Sequence, residues 1–451
     1  MSCATGRRHS TELCLAVAGH GRDSCRKNYD WSSAPFVKNV RPSIPTPLPK
    51  RWQLFLAVMG PGIVVMLADT DVGSIITAAQ SGVQWGYHLL LLQFLLMPVL
   101  FVVQDLTVRL GVFTGKGHGE LIRETFGAGW AWVSVIGLAV ATIGALLTEF
   151  SGVAAVGQLF GVPRGFSLAL AGAFLLFVVW TGSYRRVERV AIALGLFEFA
   201  FFWVAIAAHP RGHDLMTGLV HAPLSSPAYL YLVSANIGAV IMPWMIFYQQ
   251  SAIADKGLRP EHYRDARWDT AVGAIVTQLV MAAVLVSTAA TIGKVNPSAS
   301  LNTIGDIAHA LTPFMGVAMG RLLFSLGVLG AAMISSVVVS LAAAWGFGEV
   351  TGYKHSLEHN PLEAPWFYVV FTVGVLAGAV MVATIPNLVA LTIWVEVMNA
   401  FLLPMVLGFL VVLAMKALPL GHRLSGAYRW IVIGVTALTS GLALYAGLRG
   451  M

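Results

Sequence analysis

The chain has 451 residues, of which 57% are hydrophobic and only 11% are charged, and its mean hydropathy is +0.76. Soluble globular domains are far more polar, so this composition excludes a water-soluble enzyme or binding module. The net charge is +7, and the positions of the basic residues decide whether it reflects a nucleic-acid partner or orientation in a membrane.

Residues 1–50 differ from the rest of the chain. They contain all three cysteines and many basic residues, and they end on a series of spaced prolines, from Pro42 to Pro49. No apolar periodicity is sustained here, which predicts a disordered basic arm that leads into an extended linker. Three cysteines in such an arm do not form a disulfide framework. We expect residues 51–451 to form a transmembrane domain.

Eleven apolar stretches in this domain are long enough to cross a hydrocarbon core, which takes about 20 helical residues. Because backbone amides in lipid need partners within their own segment, the stretches are predicted to be helices. The fold class is therefore an all-α membrane protein with eleven transmembrane helices. The predicted spans are roughly 53–79, 86–112, 129–157, 165–182, 188–208, 228–254, 270–293, 315–347, 366–385, 387–415 and 427–447.

The basic residues are distributed unequally between the two sides of these spans. With the N-terminus inside, the inner loops and adjoining span ends hold thirteen Lys and Arg, whereas the outer loops hold three. The positive-inside rule then places the N-terminal arm in the cytoplasm and the C-terminus outside, in a cell inner membrane. This topology accounts for the net charge without a nucleic-acid partner.

The first span carries Asp69 and Asp71 near the middle of an apolar stretch. An ionisable side chain at this depth normally faces a cavity or a partner. Residues two apart on an ideal helix point roughly 200° away from each other, so two carboxylates that serve one site require an unwound helix. Gly73 favours such a break.

The sixth span contains Pro243, which removes an amide donor and clashes with the preceding turn. Breaks in spans one and six occupy corresponding places in an inverted five-plus-five repeat of the leucine-transporter type, with the binding site between them. Freed carbonyls, such as that of Ala239, would add ligands there. A plain proline kink and a glycine bend remain the alternative explanation.

Four segments together resemble the Nramp family of divalent metal transporters. Residues 60–82 (GPGIVVMLADTDVGSIITAAQSG) resemble its first helix, and 106–116 (LTVRLGVFTGK) resemble the end of its second. Residues 148–163 (TEFSGVAAVGQLFGVP) resemble its third helix, and 237–245 (IGAVIMPWM) its sixth. The resemblance runs from about residue 53 to about residue 415, and it implies a transporter of divalent metal ions.

The chain also departs from the motifs of that family. Asp71 and Met242 match metal ligands, but Ser74 replaces a ligand asparagine and Trp244 replaces a histidine. Gly152 stands where the family has a second acid, and the arginine pair of the ninth helix is absent from 366–385. This pattern looks more like the Nramp-related magnesium transporters than the proton-coupled manganese and iron branch. It implies weak or absent proton coupling.

The candidate metal ligands combine these two sources. Asp71 is supported by both its motif position and its depth, and Asp69 has the alternative role of a structural acid near a half-helix end. Glu396 replaces an expected glutamine and would offset a second positive charge. The predicted ligand set is Asp71, Met242, Glu396, Asp69, Ser74 and the Ala239 carbonyl.

Three further residues are assigned to gating or coupling. Asn399 lies three residues after Glu396, on the same helix face, where it would bind Glu396 or add an oxygen. Glu149 is expected to be a structural or gating acid, as is Glu198, and Trp244 to shape or gate the cavity. Met242 carries a soft thioether that favours transition metals over Mg²⁺, although methionine is also an ordinary packing residue.

Two functional hypotheses remain open from the sequence. The first is a transporter or facilitator of Mg²⁺, Mn²⁺ or both, with the ion as cargo and no cofactor. The second is a symporter of a small organic solute on the same fold. A membrane enzyme or receptor is disfavoured, because no metalloprotease motif, nucleophile elbow or phosphate loop is present.

The charge asymmetry predicts the side on which the chain ends. A reporter enzyme that works only outside the cytoplasm should be active when it is fused after Met451, since eleven spans carry the C-terminus across the membrane. The same reporter fused in the basic loop at residues 256–262 should be inactive. Reversed activities would remove the eleven-span topology.

Overall fold

The computed structural model describes residues 60–220, 222–295, 317–384 and 389–451. The arm predicted for residues 1–50 lies outside these ranges. Within them, all regular secondary structure is helical, as predicted. The helices up to the first proline-containing break are α1 Pro61–Asp69, α2 Val72–Trp85, α3 Leu90–Thr114, α4 His118–Phe126, α5 Ala128–Leu159, α6 Arg164–Trp180, α7 Tyr184–Gly195, α8 Ala200–Ala207, α9 Gly212–Val220 and α10 Pro227–Val240.

The remaining helices are α11 Pro243–Asp255, α12 Tyr263–Ala290, α13 Ile292–Val295, α14 Val317–Thr351, α15 Pro365–Thr384, α16 Val389–Lys416 and α17 Gly426–Gly450. Each predicted span overlaps one of these helices or a broken pair. In the described ranges, nine spans are long and apolar enough to cross a membrane, and the bent pair α1 and α2 makes ten. The predicted fourth span corresponds to α6, an apolar helix of 17 residues.

The first predicted break lies where the sequence places it. Helices α1 and α2 are bent by 47°. Asp71 has an extended backbone and caps α2, because its Oδ1 accepts a 2.6 Å hydrogen bond from the Ser74 N–H. An aspartate at this position satisfies an amide that has no partner inside the helix. The first half-helix ends at Asp69 with Thr70 as its C-cap, and Asp71 begins the next.

The second break follows from the chemistry of proline. Helix α10 ends at Val240 and α11 begins at Pro243, with Ile241 and Met242 extended between them. Pro243 has no N–H for the carbonyl four residues earlier, which is that of Ala239. The Ser74 hydroxyl donates to this carbonyl at 3.0 Å. A side chain from the first break thus replaces the backbone bond that is lost at the second.

The broken helices form the centre of the bundle. The span formed by α10 and α11 is 94% buried over its most apolar window, whereas the span formed by α7 and α8 is 28% buried. Helix α12 packs against α1, α2 and α3, and α16 packs against α10 and α5. The two breaks are consequently enclosed by protein, and the outer helices present apolar side chains to lipid.

The N-terminal end of α1 is fastened to α12 by one carboxylate. Asp269 Oδ2 accepts hydrogen bonds from the Gly60 N–H at 3.1 Å and the Gly62 N–H at 2.8 Å. A Cβ at Gly62 would lie 2.7 Å from that oxygen, so glycine permits the close approach. These two amides belong to the first turn of a helix and have no other backbone partner.

Removing this carboxylate should loosen α1. Asp269→Ala leaves two buried amides unpaired, so we expect the free energy of unfolding to fall by about 2–3 kcal/mol. Thermal denaturation of the purified protein in detergent measures the change as a lower melting temperature. Asp265→Ala, a half-exposed position on the same helix, is the matched control and should have little effect. If Asp269→Ala melted at the same temperature as Asp265→Ala and the wild type, the Asp269 anchor would contribute nothing to stability.

Candidate functional site

Five carboxylic acids are buried around the two breaks. Asp69, Asp71 and Glu396 are at most 1% exposed, and Glu149 and Glu198 are fully buried. The other four acids all lie close enough to Asp71 for charge–charge interaction with it. We call these five residues the buried acids.

The helices that supply most of these acids contain almost no positive charge. Helices α1, α2, α5, α10 and α11 contain no Lys, Arg or His, and α16 has only Lys416, at its last residue. Charges in a membrane interior are costly unless they are paired. Within these helices the buried acids have no basic side chain nearby to pair with, so each must be either protonated or balanced by a cation.

Asp71 lies at the centre of this group. Its Oδ1 caps α2, and its Oδ2 is buried with no hydrogen-bond donor in the described part of the chain. Glu149 is a neighbouring acid, since its Oε2 accepts a hydrogen bond from the Val72 N–H at the same helix start. The unpaired oxygen and the neighbouring acid leave Asp71 able to bind an ion without losing its role as a helix cap.

Glu396 reaches the first break because two glycines allow it. A Cβ at Gly73 would collide with the Glu396 carboxylate and would lie 3.3 Å from Asp71 Oδ1. A Cβ at Gly238 would collide with the Glu396 carbonyl, so α10 and α16 touch through their backbones. These contacts bring the Glu396 side chain next to Asp71, as the predicted site requires.

Glu396 is held on one side only. Its Oε2 accepts a hydrogen bond from Asn399 Nδ2 at 3.1 Å, whereas its Oε1 has no partner among the described residues. Asn399 Oδ1 is also buried without a donor there. The predicted pairing of Glu396 with Asn399 is present, and it fixes the carboxylate while leaving an oxygen on each residue for an ion.

Ser74 and the Ala239 carbonyl bind each other in this state. The Ser74 hydroxyl proton is used in that bond, so the Ser74 oxygen can offer only its lone pairs to an ion. The Ala239 carbonyl oxygen has one lone pair left. Both predicted ligands are therefore at the site, but they form one structural link between the breaks rather than two independent bare oxygens.

Asp69 is the last residue of α1, two positions before Asp71, and it lies beside different side chains. Thr70 and Thr277 share a 2.6 Å hydrogen bond between their hydroxyls, and Thr277 also lies within hydrogen-bonding reach of Asp69. Asp69 interacts electrostatically with Asp71 and Glu396. This places Asp69 on the α12 side of the site.

Glu149 and Glu198 flank the ion site in different ways. Glu149 Oε2 accepts a 3.4 Å hydrogen bond from the Val72 N–H, so it shares the N-terminal end of α2 with Asp71. Glu198 lies in a short 3-10 turn between α7 and α8 and interacts with Asp69 and Asp71. Helix N-termini favour negative charge, which stabilises Glu149 where it is.

Met242 and Trp244 line the second break without hydrogen bonds at their side chains. Met242 is the extended residue before α11, and Trp244 is in the first turn of that helix; both are fully buried in the apolar core. The Trp244 Nε1 has no acceptor in the described ranges. The structure thus places both residues at the break, with their side chains packed among apolar groups.

The buried acids do not converge on one point. In the described ranges, no three Asp, Glu, His or Cys side chains are placed to ligate a single metal ion. The site's acidic side chains are also shielded from solvent, since none of the buried acids exceeds 1% exposure. An ion would therefore be bound by two carboxylates together with neutral oxygens, and it would enter only when helices move apart.

Sequence reasoning missed two sets of polar residues beside the site. Thr270 and Thr277 are seven residues apart in α12, hence on one helix face, and they bind Gln249 and Thr70 respectively. Gln93 and Asn236 form the second set: Gln93 donates to Asn236 at 2.6 Å, and Asn236 donates to Ser81 at 2.9 Å. The seven-residue spacing of Thr270 and Thr277 could have indicated a polar helix face from the sequence. The pairing of Gln93 with Asn236 could not be inferred, because the two residues are 143 positions apart.

Comparison with known proteins identifies what the chain resembles. Residues 62–449 match the family described as natural resistance-associated macrophage protein-like, or Nramp. A divalent metal cation transporter, MntH, from Klebsiella pneumoniae strain 342 is 26% identical over 407 residues, which are 88% of this chain and 95% of that protein. MntH from Bradyrhizobium diazoefficiens is 28% identical over 303 residues, 64% of this chain and 67% of the relative.

Solved structures share the fold. A manganese transporter from Eremococcus coleocola superposes with a TM-score of 0.73 at 20% identity, covering 91% of this chain and 90% of that one. A Na⁺-coupled sialic acid symporter superposes with a TM-score of 0.59 at 14% identity over 86% of this chain and 88% of its own. Both confirm the predicted architecture, and at these identities they carry no information on cargo.

The close contact at Gly238 should be essential for the site. Gly238→Ala forces a methyl group into the α16 backbone, which we expect to cost about 1–3 kcal/mol of stability and to displace Glu396. Gly408→Ala, on α16 with nothing within 4 Å, is the control. Melting temperature and metal binding of both variants measure the effect, and wild-type behaviour of Gly238→Ala would contradict the packing described.

Proposed function

The chain belongs to the Nramp family of membrane metal transporters, not to an enzyme family, and on that premise we propose that it carries a divalent metal ion through the site between the two helix breaks. The metal is cargo, and no cofactor is involved. We further propose that it is located in the inner membrane, with the N-terminus in the cytoplasm and the C-terminus outside.

The observation that carries this proposal is the burial of Asp71 and Glu396 side by side, with no basic partner for either among the residues that the structure describes. Two carboxylates balance the charge of one divalent ion, and each keeps an oxygen that no described donor occupies. Asn399 Oδ1 and the backbone near Ala239 add neutral oxygens. The proposed ligands are Asp71 and Glu396 first, then Asp69, Ser74, Ala239 and Met242, with Glu149, Trp244 and Asn399 in gating or coupling.

The ligand chemistry favours Mg²⁺ and Mn²⁺ over softer ions. Both accept oxygen ligands, and Mg²⁺ keeps several of its waters in protein sites. Ser74 is a smaller residue than the asparagine that the resemblance implies, and Glu396 adds a charge where the family has a glutamine. These changes favour a hard, partly hydrated ion. Met242 alone favours Mn²⁺, and it contributes one soft donor at most.

An organic solute is the alternative cargo, and the fold is compatible with it, since a sialic acid symporter shares the architecture. The acids argue against it. An organic cargo would need an apolar pocket for its side chain, whereas the space at the first break is occupied by carboxylates that repel one another. We therefore propose the metal ion as cargo.

Neutralising the two leading carboxylate ligands, one at a time, tests this function. Asp71→Asn keeps a good helix cap but removes the charge, so the fold should survive while uptake of Mn²⁺ and Mg²⁺ into proteoliposomes falls by at least about tenfold, equivalent to about 1.4 kcal/mol of ion binding. Glu396→Gln should act similarly. The exposed Glu358→Gln is the control. Wild-type uptake by Asp71→Asn would require another site.

Weak or absent proton coupling is the second part of the proposal. Coupling needs a chain of groups that can take and release a proton. At the position of the family's second acid, Gly152 faces Val72, and a Cβ there would press against the Val72 side chain. No carboxyl fits without rearrangement. The arginine pair expected in the ninth helix is also missing.

The measurement is metal uptake into vesicles that contain a pH-sensitive dye, with no imposed proton gradient. Uptake should follow the ion's own gradient and the membrane potential, at about 2.3 kcal/mol per charge for each 100 mV, while the dye signal stays constant. Protein-free vesicles control for leakage. Acidification that tracks metal entry and requires the protein would refute uncoupled transport and return Glu149 or Glu396 to the role of proton carrier.

A further inference from the structure

A polar pocket that shares no lining residue with the buried acids lies at one end of the bundle. It occupies the end of the bundle where α3 ends and where α12 and α17 begin, and its volume is about 370 Å³. Its lining includes Arg109, His422 and Arg423, and none of its lining residues is an Asp or Glu. We call it the basic pocket.

Both arginines of the basic pocket are held in place by their Nε atoms. Arg109 Nε donates to Tyr263 Oη at 2.8 Å and to Asp105 Oδ2 at 3.2 Å, and Arg423 Nε donates to the Leu418 carbonyl at 2.8 Å. An anchor at Nε fixes the guanidinium plane while leaving the terminal nitrogens for another ligand. Terminal guanidinium nitrogens bind phosphate oxygens in pairs.

The pocket's wall is rigid as well as basic. The Arg109 guanidinium lies 5.6 Å from the centre of the Tyr263 ring and 5.0 Å from that of Tyr428. His422 stacks on Phe113 with the ring centres 3.9 Å apart. Cations held against aromatic faces lose little conformational entropy when they bind a further group.

Asp105, the carboxylate that binds Arg109, is already saturated. Asp105 is fully buried and lies 3.2 Å from both Arg109 Nε and Arg267 Nε. It also accepts hydrogen bonds from Tyr263 Oη at 2.8 Å and Tyr428 Oη at 3.2 Å. Two guanidiniums on one carboxylate leave an excess positive charge, to which Arg423 adds. The pocket therefore attracts an anion.

The start of α17 adds backbone donors to the same pocket. Ser425 is the residue before this 25-residue helix. Its backbone is extended, and its side chain makes no capping hydrogen bond to the helix. Ser425 and Tyr428 both line the pocket. The first amides of a helix need an outside acceptor and favour a negative charge. This requirement is independent of the arginines and points to the same kind of ligand.

The positive-inside rule alone does not account for this arrangement. That rule explains basic residues scattered at the inner ends of spans, such as the exposed Arg185. It does not require them to meet in one cavity with tyrosine hydroxyls and a helix start. Basic pockets between helices on the cytoplasmic side are a recognised means of holding anionic lipid head groups.

We infer that the basic pocket binds a phosphate group, carried either by the head group of an anionic lipid or by a free phosphate, through Arg423, Arg109 and the first amides of α17. Under the proposed orientation, it faces the cytoplasmic leaflet. The site is separate from ion binding, so it stands whether or not the transport proposal holds.

The test uses the full chain in nanodiscs of phosphatidylcholine, with or without phosphatidylglycerol. Native mass spectrometry after mild extraction counts the anionic lipid retained. Arg423→Gln is the main variant, because glutamine can still donate to the Leu418 carbonyl, and Arg423→Lys is the second, since it keeps the charge but loses the paired donors. Arg185→Gln is the control. Melting in phosphatidylcholine alone checks that each variant folds.

We expect wild type and Arg185→Gln to retain phosphatidylglycerol, and Arg423→Gln to retain about tenfold less, with Arg423→Lys between them. A separate arm adds inorganic phosphate to the phosphatidylcholine sample. A rise in melting temperature that Arg423→Gln abolishes would identify free phosphate as the ligand. Equal retention by all variants with no effect of phosphate, or an equal loss with Arg185→Gln, would overturn the inference.

Discussion

The sixth span lacks one backbone hydrogen bond, because Pro243 has no N–H to give to the Ala239 carbonyl. The Ser74 hydroxyl fills that gap and so ties the second helix break to the first. The close approach continues at Gly238, where the α10 backbone meets α16 and brings Glu396 beside Asp71. The relative position of the two breaks and of Glu396 thus depends on this junction.

The junction has an electrostatic consequence. It gathers carboxylates in the membrane interior, on helices that offer no counter-charge except at one far end. Helix starts compensate in part, because the first amides of α2 bind Asp71 and Glu149. Part of the negative charge remains, together with oxygens that no described donor occupies. Under the proposed function a divalent cation would balance this charge, and because the site is enclosed in protein the helices would have to move apart to admit it.

The sequence allowed both breaks to be predicted, because their causes are local: a proline, a glycine and an aspartate in otherwise apolar helices. Asp71 and Glu396 were singled out as acids within apolar spans and by the family resemblance, and their roles as ligands stay predictions. The hydrogen bond from Ser74 to Ala239 could not be predicted, since it joins residues 165 positions apart. The same holds for the bonds from Gly60 and Gly62 to Asp269, which span 209 and 207 positions. Such contacts depend on how helices pair, which hydrophobic periodicity does not encode. The arm lies outside the described residues, so its predicted disorder stays a prediction.

The most direct measurement is the anomalous X-ray scattering of crystals grown with Mn²⁺. The account predicts one strong peak between the two breaks, within about 2.6 Å of carboxylate oxygens of Asp71 and Glu396, and no such peak in crystals of the Asp71→Asn, Glu396→Gln double variant. A peak elsewhere in the bundle, or one that persists unchanged in the double variant, would contradict it.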